Sequence, residues 1–246
     1  MVLRVVISQY TKNIMSNSIN LLIKIFKCEK YRNEFLDGNL YISSLKKFAQ
    51  MQDNNTQADF LEGITGQYQP NDIIITIKQS ELGINHTIPP EDYAAPIYTS
   101  SNDTLGKLKA LSFFSPLIEA NNIENVNDAI RITDEMRNDF GEYVVVIHQS
   151  QEFIDRVLET AKKEKISHKT KLINYFPKNE TIEFDHQNFG FNKRQLYDFQ
   201  KEFRIMFHTS EDSEYMRLNI GDIRDLCMVL TVDQFNNELE FKVEAI

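Results

Sequence analysis

Between Phe199 and Phe207 the chain reads FQKEFRIMF, which places an amide, a carboxylate and a guanidinium two residues apart at Gln200, Glu202 and Arg204. In an extended strand alternate side chains share a face. Phe203, Ile205 and Phe207 then make an apolar face, and the three polar groups line up on the other. A carboxylate beside Arg204 and the nearby Lys193 stays ionised. Facing a cleft, such a group orients a hydroxyl or stabilises a developing cation. Phe189, Phe191, Tyr197 and Phe199 bracket the segment and point to an aromatic-lined cleft. The residues alone leave a rival reading open, the solvated face of an edge strand.

The loop DNNTQADFLEG sets Asp53, Asp59 and Glu62 among small polar residues. Three acids suit a hard cation, but their spacing does not match an EF-hand. The expectation is acids that cap backbone amides at the rim of a cleft, with no metal site. The histidines show no HExxH or i, i+4 pairing, and Cys28 and Cys227 form no CxxC pair. Both cysteines lie in or beside apolar stretches, which predicts reduced, buried thiols and a cytoplasmic setting. Walker, GxGxxG and GxSxG signatures are missing, so nucleotide binding through those loops is not expected.

These side chains need elements to position them. At 246 residues, 41% hydrophobic and 26% charged, the chain is long enough to bury a core. The reading is a segment over 1–19 followed by a single domain over 20–246. Strands are expected around 20–27, 39–44, 71–79, 107–115 and 142–148, the last one central in a sheet. A long connection follows over 84–104, and helices over 125–141, stopped by Gly141, and 150–165, capped by Ser150. From 169 onward short strands dominate: 169–176, 180–184, 201–209, 215–220, 226–232 and 239–246. Helices therefore concentrate in the first two thirds, and the fold class is α+β with a mixed, mostly antiparallel sheet. The net charge of −9 and pI near 5.1 argue against general nucleic-acid or anionic-lipid binding. The local run AKKEKISHKTK (161–171) reads as a solvated helix end and loop. No apolar stretch approaches the ~20 residues that span a bilayer, so no membrane partner is expected.

In order, GNLYISSLKKF, ADFLEG, LSFFS, FGEYVVVIHQSQEFIDRV, KLINYF, FNK and YDFQKEFRIMF resemble an uncharacterised bacterial and phage domain family over roughly residues 20–210. That family carries an early acid loop containing Asn-Asp-Pro, where this chain has ADFLEG, and a late strand of the Glu-x-Glu-x-Arg kind. Its members occur with mobile elements and defence genes. A late strand-borne Glu is also similar to the arrangement in ADP-ribosyltransferase-like toxins. That likeness implies NAD as substrate, no bound cofactor, and Glu202 stabilising the oxocarbenium as nicotinamide leaves. It implies Arg204 and Gln200 as substrate-positioning groups and Tyr41 or Ser43 as nicotinamide or ribose contacts. Lys24 or Lys27 falls where such enzymes place His or Arg, and Asp59 and Glu62 fall on the cleft rim. The alternative is a non-enzymatic module that sequesters a protein partner or a small nucleotide. A nuclease or phosphoesterase reading would need Asp53, Asp59, Glu62 and Glu202 to converge on a divalent cation.

Overall fold

A computed structural model describes residues 2–7, 18–51, 59–93, 95–119 and 130–245. Its centre is an eight-stranded antiparallel sheet. In chain order the strands are β1 (Leu22–Phe26), β2 (Asn39–Ser44), β3 (Leu108–Phe114), β4 (Tyr143–Ile147), β5 (Ser167–Leu172), β6 (Glu202–His208), β7 (Tyr215–Asn219) and β8 (Cys227–Thr231). They run across the sheet as β5-β6-β3-β1-β4-β8, with β2 pairing both β3 and β7. The fold is α+β with mostly antiparallel pairing.

The sheet forks at β3. Along one edge β3 pairs with β6 from Leu108 to Phe114. Along the other it meets β2 only at Lys109 and Ala110, and β1 only at Phe114. Among the described residues no strand lies beside Leu111, Ser112 and Phe113 on that edge. The chain crosses the gap through helix α1 (Glu29–Leu36) and a turn at Asp37–Gly38, which carry it from β1 to β2.

Helices cover both faces. On one, α1 and α4 (Ser150–Lys163) pack Phe35, Leu36, Phe153, Val157 and Ala161 over Leu111, Phe113, Ile205 and Phe207. The other face carries two separate clusters. One joins α3 (Asp134–Phe140) and α5 (Val232–Glu238) to Ile23, Phe114, Val144 and Val146. The second sets α2 (Leu45–Gln50) with Ala110, Phe191 and Met206. Between them no helix among the described residues covers the sheet surface.

Local signals explain most boundaries. Ser44 caps α2 by accepting from Lys47 N at 3.2 Å, and Thr133 caps α3 through Met136 N at 3.2 Å. The helix expected over 125–141 is thus only α3; Gly141, at φ +112°, does stop it, and residues 120–129 lie outside the described residues. The N-cap of α4 is Gln149 rather than Ser150, whose hydroxyl donates to the Ile147 carbonyl. A helix in the last third, α5, went unread although Thr231 and Gln234 form a capping box.

The strand read over 71–79 is Ile75–Gln79, half of an exposed hairpin with Ile84–Ile88 rather than part of the core. The long connection over 84–104 contains that second strand, a further strand at Ile97–Ser100 and a one-turn helix at Asn102–Leu105. Ile97–Ser100 joins Ile64–Tyr68 and Ile182–Glu183 in a small sheet. Val2–Ile7 pairs in parallel with Glu240–Ala245.

Candidate functional site

Register carries the polar row of β6 into the uncovered strip. Glu202 lies opposite Phe114, Arg204 opposite Ser112 and Met206 opposite Ala110. Ser43 lies opposite Ala110 in turn. Directly paired residues share a face and alternate residues repeat it, so Tyr41, Ser43, Ser112, Glu202 and Arg204 look to the same side. All five line one cleft of about 820 Å³, which passes over and through the fork. Glu202 is 5% exposed and Arg204 1%. The solvated-edge reading of this row is therefore wrong, since β6 lies inside the sheet between β5 and β3.

Gln200 reaches the site by another route. It ends a 3-10 turn over Gln195–Gln200, and Lys201 takes a left-handed conformation at φ +38° before the strand begins at Glu202. Its Oε1 accepts from Lys193 Nζ at 2.7 Å.

The floor is an ionic chain. Glu202 Oε1 accepts from Arg204 Nε at 2.7 Å, and Oε2 from Lys193 Nζ at 3.0 Å. The far end of Arg204 binds both oxygens of Glu62, at 2.7 and 3.3 Å, and donates to the Gly190 carbonyl at 2.5 Å. Gly190 sits at φ +76°, where a side chain would also run into Met206 and Leu45. Burial alone would raise the Glu202 carboxyl, but Arg204 and Lys193 together hold it well below the usual carboxylate range.

The acids of the ADFLEG loop are not on the rim. Asp59 and Glu62 are both buried, and neither lines the cleft. Asp59 accepts from Arg194 Nε at 3.0 Å and from Leu61 N at 3.1 Å, so it does fix a turn. Asp53 lies outside the described residues. Among the described residues no group of His, Cys, Asp and Glu is placed to hold a metal ion.

The bracketing aromatics also sit elsewhere. Phe189 and Phe191 pack in the α2 cluster and Phe199 against the α3–α5 cluster, while Tyr197 accepts from Arg194 at 2.8 Å. The cleft takes its rings from other residues instead, among them Tyr31, Tyr41, Phe48, Phe113 and Phe140. Tyr41, 41% exposed, stacks on Tyr215 with centroids 4.8 Å apart. Lys47 donates to its hydroxyl at 3.2 Å.

Lys24 sits at the fork itself. Its Nζ donates to the Ser112 carbonyl at 2.6 Å, in the gap where β3 has no strand neighbour among the described residues. Burial lowers its pKa, Glu202 partly offsetting this, to about 8. Toward the mouth lie Lys27, Lys30, Lys47 and Arg217. The reading from sequence missed all of these except Lys27, because they come from α1, α2 and β7 and only folding gathers them. The lining thus holds seven basic residues against two acids, Glu34 and Glu202, in a chain of net charge −9.

Both cysteines are free and half-buried, with the Cys227 thiol pushed by burial up to about 12. Among the described residues no helix is long and apolar enough to cross a membrane. Compared with known proteins, this chain matches no family model, and no curated protein or solved structure is significantly similar to it.

Proposed function

We propose that the forked cleft binds a phosphate-bearing nucleotide of the NAD class, and that the protein is an ADP-ribosyltransferase-like enzyme of a phage or bacterial conflict system. The observation that carries this reading is a cationic, aromatic-edged cleft in an acidic chain, with a strand-borne carboxylate on its floor. Concentrated positive charge in a concave site attracts a polyphosphate against the overall charge of the molecule. Tyr41 and Tyr31 offer flat surfaces to a base or nicotinamide ring. Glu202 is set to stabilise positive charge developing on a ribose, Arg204 holds it directly and Gln200 through Lys193, and Ser43 offers a hydroxyl to the ligand. The conflict-system setting comes from the sequence resemblance alone.

One observation favours a second reading, a non-enzymatic module that sequesters the nucleotide. Both oxygens of Glu202 already accept from cations, which offsets the field it would direct at an oxocarbenium. Incubation with NAD separates the two. The enzyme reading expects released nicotinamide, and a loss on the order of a hundredfold or more in rate for Glu202→Gln at unchanged melting temperature. Thermal stabilisation by NAD without product supports the sequestering module. Neither stabilisation nor product with NAD, ADP or pyrophosphate rejects both.

A further inference from the structure

We propose that Lys24 is an amine nucleophile that holds a phosphate-bearing aldehyde as an imine inside the fork. The proposal shares the cationic lining with the nucleotide reading but needs no nicotinamide chemistry.

Its basis is the setting of one amine. Among the described residues Lys24 forms no ion pair, and both oxygens of Glu202, the acid whose charge acts on it, are taken by Arg204 and Lys193. Its Nζ donates to a neutral carbonyl, Ser112 O at 2.6 Å, and lies 5.5 Å from the centre of the Phe113 ring. A neutral amine satisfies that carbonyl with one hydrogen and keeps its lone pair free. Burial supports the neutral form: with a pKa of about 8 against 10.5, its neutral fraction at pH 7.5 exceeds that of an ordinary lysine on the order of a hundredfold. Lysines become nucleophiles by such desolvation.

The cavity supplies the rest of the specificity. Its volume, about 820 Å³, falls within the range of small-ligand sites. Lys27 and Lys30 make no ion pair among the described residues, and they line the cleft together with Lys47 and Arg217. Arg217 reaches Glu34 only at 3.7 Å. A phosphate at the mouth and a carbonyl at the fork match this order of charges. In the step, the Nζ lone pair attacks the carbonyl carbon and the π pair moves to oxygen. One N–H proton passes through solvent to that oxygen, giving a carbinolamine, whose hydroxyl then leaves as water with the second N–H proton, and a C=N bond remains. Amine plus aldehyde give imine plus water, with no change of oxidation state.

The probe is pyridoxal 5′-phosphate, trapped with borohydride and located by peptide mass spectrometry. The expected result is one dominant adduct at Lys24, labelled faster from pH 7 to 9, competed by pyrophosphate, and much weaker with pyridoxal, which lacks the phosphate. Lys24→Arg, which keeps a donor for the Ser112 carbonyl, should melt like the parent and lose the imine absorbance. Adducts confined to Lys27, Lys30 or Lys47 overturn the proposal, as does equal labelling by pyridoxal. If the chain releases nicotinamide from NAD yet forms no Lys24 adduct, the inference fails and the nucleotide reading stands. An adduct without nicotinamide release leaves the inference and removes the transferase.

Discussion

A carboxylate and a guanidinium buried together are costly unless every charge finds its partner, and removing one member leaves the other stranded in low dielectric. Arg204 is the shared cation of two buried acids, Glu62 and Glu202. Arg204→Met is therefore expected to cost about 3–5 kcal/mol in urea unfolding. A loss under about 1 kcal/mol would mean that water reaches the chain of charges and screens it. Part of this arrangement was legible beforehand. Alternation along EFRIMF put Glu202 and Arg204 on one face, and the Lys193 partnership followed from its nearness in sequence. Glu62 was named but misplaced, because nothing local says that a loop acid 142 residues away will meet Arg204. Gln200 reached the right place for the wrong reason. Strand periodicity was extended across Lys201, whose left-handed backbone breaks it.

At the level of elements, the site exists because β1 and β2 diverge from β3, and the connection between them sets the width of the gap. Gly141 matters here. Its backbone stands at φ +112°, and a Cβ there would come within 2.4 Å of Lys27 Cα and the Phe26 carbonyl. Gly141→Ala should lower stability by roughly 1–3 kcal/mol in thermal melts, because the end of β1 that bears Lys27 must shift. A melt matching the parent would show that α3 and β1 are free to separate. Strong periodicity made β3, β4, β6 and α4 readable, since each buries a continuous apolar face. The fork was not, because it depends on which two strands share an edge of β3, and pairing leaves no trace in either strand's own pattern. The run IIITI reads as a strand from its own pattern, but that pattern does not say what the strand pairs with. Its partner, INHTI, offers no packed face, and Ile74, Ile77 and Ile84 remain exposed.

Across the whole molecule, the acidic total hides a local inversion of sign. Net charge argued against nucleic acid and anionic lipid, yet the cleft lining gathers basic groups from β1, α1, α2, β6 and β7. Raising ionic strength from about 0.05 to 0.5 M shortens the screening length from roughly 14 to 4 Å. Pyrophosphate affinity should fall several-fold over that range in titration calorimetry, and salt-independent affinity would mean that the mouth lysines do not engage the anion. The divided sheet adds a mechanical property. Its two limbs, β1-β4-β8 and β2-β7, share only β3 as a strand, and the core beneath α1 is what joins them on the other face. A guest touching Lys27 and Arg217 together would rivet them, and amide protons far from any contact, out on β8, would then trade with deuterium more slowly.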